Sequence, residues 1–397
     1  MLDTLPDQSI CGLHHQVEEG SEAVHAPASF AASLSVDEAV KKAFPVPETK
    51  IVYALNYGRP LWGRTAKIIV RLPDGQEKDY FLKAFSLGDI GKCMCEGEFE
   101  SLKAMHTVSS SFVPEPHAWG RYQDDPETYF LLADFRYIGE QVRSGASLWS
   151  PPAGPNRLAT RLADLHQRSK SPTGKFGFHL KTCHNKIVQA VDTWEDSWCK
   201  LYGRHLGHVL EVANKDLNWP EFEAVGQLVL EKVVPRLLLP LQSGGRFLDP
   251  CLLHGHCWDG NTATDMKTGE PFVFDACSFY GHNEYDTGNW RAARHRVSNK
   301  AYMKAYKRKF PVSEPEEDWD ARNLLYSLTL NIANTLYIPG SEEPKVVYDD
   351  MTSLCEMFCA DDLKRTLESI ESLASEDDQE NHDEADVEEN EEEEEED

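Results

Sequence analysis

Three short stretches near the start of the chain have the residue pattern of β-strands. Residues 51–55, 65–72 and 79–85 are rich in β-branched and aromatic residues, and each predicts one strand. Pro73, Asp74 and Gly75 separate the second stretch from the third and are typical of a tight turn. The first part of the chain is therefore expected to be rich in strands.

Helical patterns flank and follow these strands. Ser35 with Glu38 three residues later forms a capping box, which predicts a helix that ends near Phe44, before Pro45. Residues 95–105 have a helical period, and 128–135 form an apolar strand. Beyond about residue 140 the helical spacing dominates, and we expect helices at 157–168, 187–206, 221–239, 294–309 and 319–335 and a helix pair within 349–373.

These elements predict an α+β protein with a small part rich in strands and a larger, mainly helical part. We place an irregular lead at residues 1–34, the strand-rich part at 35–138 and the helical part at 139–373. The length of 397 residues agrees with two or three packing units rather than one small core.

Charge is distributed unevenly. The formal net charge is −27, and residues 376–397 contain sixteen acidic residues and no basic one. Residues 374–397 are therefore expected to be a disordered acidic tail, which acts as a solvating segment or binds basic partners. The rest of the chain is acidic too, which argues against a nucleic-acid partner.

Several classes of protein are disfavoured by what the sequence lacks. It has no run of eighteen apolar residues and no basic start followed by an apolar stretch, so we expect a cytoplasmic protein without membrane spans. Ten cysteines in so long a chain do not predict a disulfide scaffold. The pairs Cys93/Cys95 and Cys355/Cys359 lack the spacing of a zinc site. The oligomeric state is left open.

The strongest chemical signal lies at residues 252–261, where an apolar run ends in a polar loop. Kinase-type phosphotransferases have a catalytic loop of the form His-x-Asp-x-x-x-x-Asn, followed by a second, metal-binding aspartate. His254, Asn261 and Asp275 match this template as its histidine, its Mg²⁺-binding asparagine and its second aspartate. His256 occupies the position of the catalytic aspartate. A strand, a turn and another strand without any catalytic role would give a similar pattern.

Residues in the strand-rich part fit the nucleotide half of such an enzyme. Gly58 and Gly63 lie in the loop between the first two strands, where a kinase covers the nucleotide phosphates. Lys83 ends the third strand, and Glu98 lies on the following helix, so the two are expected to pair and hold the lysine over the phosphates. The apolar strand that includes Leu132 and Asp134 is expected to form the hinge that binds adenine.

The order of these segments resembles the fructosamine/ketosamine 3-kinase family, in particular its fungal-type protein-ribulosamine 3-kinases. This family is part of a larger group with the aminoglycoside and choline phosphotransferases. The resemblance spans residues 35–360 and rests on the segments 80–83, 96–102, 162–166, 175–178, 194–198, 252–261 and 274–285.

The resemblance implies a two-lobed protein-kinase-like fold, with residues 35–138 as the N-lobe and 139–373 as the C-lobe. It implies ATP and Mg²⁺ as cofactors, and transfer of phosphate to O3 of a ketosamine, either a small molecule or a glycated protein. The 3-phosphate then eliminates and the glycation is reversed. Lys83 and Glu98 would position ATP, Asn261 and Asp275 would hold Mg²⁺, and residue 256 would be the catalytic base. Trp258 would pack in the core or stack on the substrate.

The chain departs from the family at residue 256, where the family has aspartate. Imidazole accepts a proton near neutral pH, but it carries no negative charge beside the metal. Asp259 is not an obvious substitute, because fungal-type members have an aspartate there in addition. We therefore keep three hypotheses: a weakened ketosamine kinase, a pseudokinase that binds ATP or a ligand without turnover, and a kinase of another amino sugar or aminoalcohol.

Overall fold

The computed structural model describes residues 34–58, 62–138, 154–335 and 343–395. The lead predicted for residues 1–34 therefore lies outside these ranges except for its last residue. The described part combines one antiparallel sheet with many helices, which confirms the predicted α+β class. Within it, no helix is long and apolar enough to cross a membrane.

The sheet contains five antiparallel strands in the order β1-β2-β3-β5-β4. Their bounds are β1 Lys50–Asn56, β2 Arg64–Arg71, β3 Glu77–Ser86, β4 Pro116–Arg121 and β5 Thr128–Asp134. Four of them confirm strands that the sequence predicts. The additional strand, β4, was not predicted, because Pro116 and Gly120 weaken its strand pattern. Lys83 lies on the central strand β3, paired with Thr65 on one side and Leu131 on the other.

Helix α1 spans Glu38–Lys42 and is capped by Asp37, so the predicted cap at Ser35 is wrong. An Asp37 carboxylate oxygen accepts a hydrogen bond from the backbone N–H of Ala39, at 2.7 Å. The same oxygen accepts one from Gln123 in the β4–β5 turn, at 2.9 Å. Asp37 is the cap rather than Ser35 because its carboxylate accepts hydrogen bonds from N–H groups of both the helix and the sheet. A capping box would pair only N–H groups of the helix.

Helix α2 (Gly88–Val108) follows β3 directly and packs against β4 and β5. Buried apolar side chains form two clusters. The smaller one lies between α1 and the sheet and includes Val40, Ile68 and Leu132. The larger one includes Met105 of α2 and most of the helical part. Glu98 on α2 therefore lies near the junction between the sheet and the helical part.

The helices beyond the sheet are α3 Pro155–Arg168, α4 Trp198–Leu217, α5 Pro220–Leu228, α6 Val234–Leu238, α7 Lys300–Lys309, α8 Trp319–Thr335 and α9 Glu343–Glu395. A π-helical turn, Val229–Val233, joins α5 to α6. Three short strand pairs lie among them: β6 (Cys183–His184) with β7 (Ile187–Val188), β8 (Cys251–Leu252) with β11 (Tyr280–Gly281), and β9 (Thr262–Thr264) with β10 (Pro271–Val273).

The helix predicted at 187–206 is wrong in its first half. Helix α4 begins only at Trp198, where the Ser197 hydroxyl accepts a hydrogen bond from the backbone N–H of Lys200. The residues before it pair with an extended segment instead, since the Phe178 N–H donates to the Val191 carbonyl at 2.7 Å. Similarly, α7 begins at Lys300 rather than at residue 294, because Asn299 caps it.

The helix pair predicted within 349–373 corresponds to α9, whose helical geometry is interrupted at Cys359. The backbone of α9 continues to Glu395 and includes most of the acidic segment. The disorder expected for residues 374–397 stays a prediction. It is supported by the acidic composition, because like charges one helical turn apart repel one another and destabilise a helix.

Candidate active site

The ammonium of Lys83 lies between two carboxylates. Its Nζ is 2.7 Å from Glu98 Oε2, and it also donates a hydrogen bond to Asp275 Oδ1. Lys83 is on β3, Glu98 is on α2, and Asp275 follows β10 in the helical part. The fold therefore brings together three of the residues that the sequence singled out, and it joins the two parts of the fold through them.

Charge at this triad is held by mutual pairing. Burial would lower the pKa of Lys83, but the two carboxylates raise it well above its usual value. Burial would raise the pKa of Asp275, but Lys83 and His256 lower it well below its usual range. Glu98 differs, since burial raises its pKa more than Lys83 lowers it. The neighbouring Asp275 carboxylate also raises the pKa of Glu98.

A mostly apolar cavity of about 740 Å³, measured with its open mouth, begins at this triad. Its size lies within the range of small-molecule sites in proteins. Besides the triad, its walls include the apolar side chains of Phe81, Leu102, Leu131, Ala133, Phe272 and Phe274. A planar aromatic ligand with a charged tail fits an apolar cavity that ends at a fixed ammonium.

Four other predicted nucleotide residues are placed less uniformly. Asp134 lines the cavity, but its carboxylate faces His117 Nε2 at 2.8 Å and Lys78 Nζ at 3.1 Å. Leu132 does not line the cavity and is buried in the smaller apolar cluster, between α1 and the sheet. Side chains alternate across a strand, so its neighbours reach the cavity and Leu132 points away. Gly58 has a φ of 78°, and Gly63 packs closely on the β3 backbone, but residues 59–61 of this loop are outside the described ranges.

Backbone geometry brings the predicted catalytic loop, residues 252–261, close to Asp275. Asp275 has a φ of 59°, a left-handed conformation that few side chains other than Asp and Asn adopt. Gly255 has a φ of 81°, and a Cβ there would lie 2.2 Å from the carbonyl oxygen of Cys277. The loop that carries His256 can therefore pass close to the segment 275–277 only with glycine at position 255.

Asp286 holds the same loop in place through hydrogen bonds to its backbone. The sequence did not predict this role. Its Oδ2 accepts hydrogen bonds from the His254 backbone N–H at 2.7 Å and from His166 Nε2 at 3.0 Å. Its Oδ1 accepts one from the Gly255 N–H at 2.8 Å. Burial would raise the pKa of Asp286, but these donors lower it. The available signal was two acidic residues within segment 279–290, which also contains several aromatic residues.

His256 lies beside both predicted metal ligands. Its Nδ1 is 3.6 Å from Asp275 Oδ2 and 3.0 Å from the side-chain nitrogen of Asn261. That nitrogen also donates to the His256 backbone carbonyl at 3.1 Å. The second bond fixes which end of the Asn261 amide faces the histidine.

The amide oxygen of Asn261 is the clearest indication of a cation site. Asn261 is fully buried, yet its Oδ1 has no hydrogen-bond partner among the described residues. A buried amide oxygen without a partner is costly, and Mg²⁺ prefers oxygen ligands. Asn261 and Asp275 therefore fit the Mg²⁺ role that the sequence predicts for them.

Asp259 does not replace the missing carboxylate. Its Oδ1 accepts a hydrogen bond from the backbone N–H of Arg296 at 3.1 Å and lies 3.4 Å from His295 Nδ1. Burial raises its pKa. Trp258 is buried and packs on His295, with ring centroids 4.9 Å apart, which favours its core role.

A second histidine, missed in the sequence, packs directly on His256. The rings of His184 and His256 meet edge to face, with centroids 4.1 Å apart. Burial and the neighbouring imidazoles hold the pKa of His184 well below its usual value. His184 lies in the β6–β7 hairpin, far from the catalytic loop in sequence, and no motif marks it.

The approach of this hairpin to α2 depends on Gly97. A Cβ there would lie 3.0 Å from Thr182 Cα and 3.2 Å from the carbonyl oxygen of Lys181. We expect Gly97→Ala to lower the free energy of unfolding in urea by about 1–3 kcal/mol, because backbone must move. Gly203→Ala in α4 is the matched control, since its nearest neighbour would be Val234 Cγ1 at 3.5 Å. It should gain up to about 1 kcal/mol of helix propensity. Equal stability of the two variants would contradict this packing.

Comparison with known proteins gives one family. The family model for fructosamine kinase matches residues 63–341. The protein-ribulosamine 3-kinase, chloroplastic, of Oryza sativa subsp. japonica is 32% identical over 207 residues, which cover 52% of this chain and 54% of the rice protein. The chain thus matches about half the length of this relative.

Two solved structures have the same fold. One is a Thermobifida fusca protein described as a fructosamine-3-kinase, with a TM-score of 0.61 and 18% identity; the match covers 81% of this chain and 100% of that one. The other is an aminoglycoside phosphotransferase, APH(4)-Ia, with a TM-score of 0.52 and 12% identity, covering 81% of this chain and 98% of that one. These likenesses confirm the predicted protein-kinase-like fold. With a family model that matches most of its length, the chain belongs to the fructosamine kinase family.

Proposed function

We propose that this chain binds ATP in the cavity at Lys83 and transfers its terminal phosphate to O3 of a ketosamine. The observation that carries the proposal is the Lys83 ammonium, held between Glu98 and Asp275 at the end of an apolar cavity. The names of relatives add support: the rice protein is named as a ribulosamine 3-kinase, and the aminoglycoside phosphotransferase was crystallised with AMP-PNP.

Each group has a distinct role in the proposed phosphate transfer. The apolar walls hold the adenine and exclude water, and Lys83 binds the phosphates. Asn261 Oδ1 and Asp275 would hold Mg²⁺, which neutralises charge that develops on the transferred phosphate. Asp286 fixes the loop on which His256 and Asn261 lie. His256 faces the acceptor hydroxyl in place of the family's aspartate. The acceptor is a small ketosamine or a glycated protein, and loss of the 3-phosphate then removes the sugar.

Low intrinsic turnover is expected from the surroundings of His256 Nδ1. This ring nitrogen lies 3.0 Å from the side-chain nitrogen of Asn261 and 3.6 Å from Asp275 Oδ2. It is thus engaged by protein groups rather than by a substrate hydroxyl. General-base assistance contributes about 10²–10⁴-fold, while positioning and charge stabilisation contribute the rest. The same contact favours the alternative of a pseudokinase that binds nucleotide without turnover.

Steady ADP release with a small ribulosamine tests the proposal. The native chain should release ADP above a Lys83→Ala control, and His256→Asp should raise the rate by about 10²-fold or more. A native chain that is silent, with turnover restored by His256→Asp, would make the protein a pseudokinase on a competent scaffold. Silence of both proteins would contradict the kinase function itself.

The cytoplasmic location expected from the sequence is part of the proposal. All cysteines within the described ranges are free thiols, as a reducing compartment requires.

A further inference from the structure

Two cysteine side chains meet where helix α2 contacts the β6–β7 hairpin. The Cys183 thiol donates a hydrogen bond to Cys93 Sγ. Cys93 Sγ also lies 3.7 Å from the carbonyl oxygen of Lys181, two residues before Cys183 in the chain. Both cysteines are free thiols and are only half-buried. The junction between the helix and the hairpin therefore presents a pair of thiols that solvent reaches.

The backbone of both elements holds this pair together. A Cβ on Gly97 of α2 would lie 3.0 Å from Thr182 Cα, so the helix and the hairpin are in direct contact. Cys93 is one helical turn before Gly97 and therefore faces the same hairpin. Cys183 directly follows Thr182, and its pairing with Val188 in β7 fixes its position. The two sulfurs thus meet because two regular elements carry them to the same point.

The surroundings favour a reactive thiolate on Cys93. The hydrogen bond from the Cys183 thiol lowers the pKa of Cys93, and the positive charge of Lys181 lowers it further, against the opposing effect of burial. The thiolate is the form that attacks a disulfide. Cys183 keeps its proton, because its hydrogen bond to Cys93 and its burial both raise its pKa. Cys93 is therefore the attacking thiol, and Cys183 is the thiol that completes the exchange.

Other cysteines provide a comparison within the same chain. Among the described cysteines, only Cys93 has a pKa that is lowered. Cys95, two residues further along α2, is fully buried, and burial raises its pKa. Cys355 and Cys359 of α9 also hydrogen-bond to each other, but burial raises the pKa of both thiols. These cysteines therefore serve as controls for the reactivity of Cys93.

We propose that Cys93 and Cys183 react with a low-molecular-weight disulfide and form a reversible disulfide that ties α2 to the β6–β7 hairpin. The Cys93 thiolate attacks one sulfur of the small disulfide, and half of that molecule leaves as a thiolate. Cys183 then loses its proton and attacks the Cys93 sulfur, and the second half leaves as a thiolate. The two protein thiols are oxidised by two electrons, and the small disulfide takes up these electrons and the two protons and becomes two thiols.

The new bond would join two sides of the candidate active site. Helix α2 carries Glu98, which pairs with Lys83, and the hairpin carries His184, which packs on His256. The bond would also close a long loop of the chain that contains β4, β5 and α3. A cross-link restricts the unfolded chain more strongly as the closed loop becomes longer. Oxidation should therefore stabilise the fold and fix α2 against the hairpin, as expected of a thiol pair that senses redox state.

The experiment is a tryptic peptide map of the full chain, made without reducing agent after incubation with oxidised glutathione. We expect a disulfide between peptides 93–103 and 182–186, which is lost after addition of excess reduced glutathione. The link should persist in Cys95→Ala, which shares the first peptide, and should be absent from Cys93→Ser. Cys183→Ser should instead accumulate glutathione on Cys93, because the second step of the exchange is blocked.

Thermal unfolding gives a second readout. The oxidised native protein should have a Tm higher by about 5 °C or more than the reduced protein. Oxidised glutathione should leave the Tm of Cys93→Ser unchanged, whereas Cys359→Ser should respond as the native protein does.

Several outcomes would overturn the inference. They are a native chain without the linked peptides, a link that survives in Cys93→Ser or is lost from folded Cys95→Ala, and a Tm that does not rise on oxidation. The map of the native chain requires no variant, so it decides the question even if a variant fails to fold. Neither readout uses nucleotide or ketosamine, and the result is therefore independent of the proposed function.

Discussion

The Lys83→Met variant is expected to lose both phosphate transfer and stability. Removal of one preorganised cationic contact to the phosphates should lower turnover by about 10²–10³-fold. It also leaves the buried carboxylate of Glu98 and the partly buried carboxylate of Asp275 without their shared cation. Loss of one partner from a buried charge cluster costs about 3–5 kcal/mol of unfolding free energy. Turnover is measured by ADP release, and stability by urea unfolding.

A double variant separates these two effects. In Lys83→Met/Glu98→Gln one of the unpaired carboxylates is gone, so stability should recover in part while turnover stays low. Lys92→Met, at an exposed position on α2, is the matched control and should change stability by no more than about 0.5 kcal/mol. The charge argument fails if the double variant is no more stable than the single one.

The pH dependence of Lys83→Met has a definite sign. In the native protein Lys83 and His256 lower the pKa of Asp275, so this carboxylate adds stability above about pH 4 and that stability is lost as the pH falls. Without Lys83 the same partly buried carboxylate loses its cation, and its pKa should rise. The stability difference between native protein and variant should therefore shrink as the pH falls toward about 4.

The Asp286→Asn variant is expected to lower the free energy of unfolding by about 3–5 kcal/mol, although the side chain keeps its size. The carboxylate accepts three hydrogen bonds with two oxygens, and asparagine offers one oxygen and one donor. At least one N–H of the catalytic loop or of His166 would then face another donor. Displacement of the loop should also lower turnover.

Urea unfolding at several pH values measures this loss. Because its partners lower the pKa of Asp286, the native protein's advantage should be complete above about pH 4 and diminish below it. Asp196→Asn is the control, since its carboxylate is 83% exposed and, among the described residues, pairs with Lys175 alone. It should stay within about 0.5 kcal/mol of the native protein. An equal effect in both variants would mean that Asp286 does not anchor the loop.

Residues at the ends of strands and in spaced motifs were predictable from the sequence. Lys83, Asn261 and Asp275 each have a fixed relation to a strand or loop that the local pattern defines. Glu98 was predictable because helix geometry places it one turn before Leu102. Contacts made by chain segments far apart had no such local signal. His184 and Asp286 reach the catalytic loop through tertiary packing, which no residue period encodes.

Errors of the prediction also have local causes. The direction of the Leu132 side chain had no signal either, because β5 is apolar on both faces and its sequence does not indicate which face is which. The helix expected from residue 187 failed because apolar residues there pair with another extended segment. The cap at Ser35 failed because Asp37 gains donors from a turn that lies far away in sequence.

The frame around His256 also bears on how this protein could change over evolutionary time. Lys83 pairs with Glu98 and Asp275, Asn261 contacts the His256 ring, and Asp286 accepts hydrogen bonds from the loop backbone. The codons for histidine and aspartate differ at a single base. One point mutation would therefore place an aspartate at residue 256, as in the loop that the family resemblance implies. A lineage with this chain is one mutational step from that loop sequence, and selection could move it in either direction.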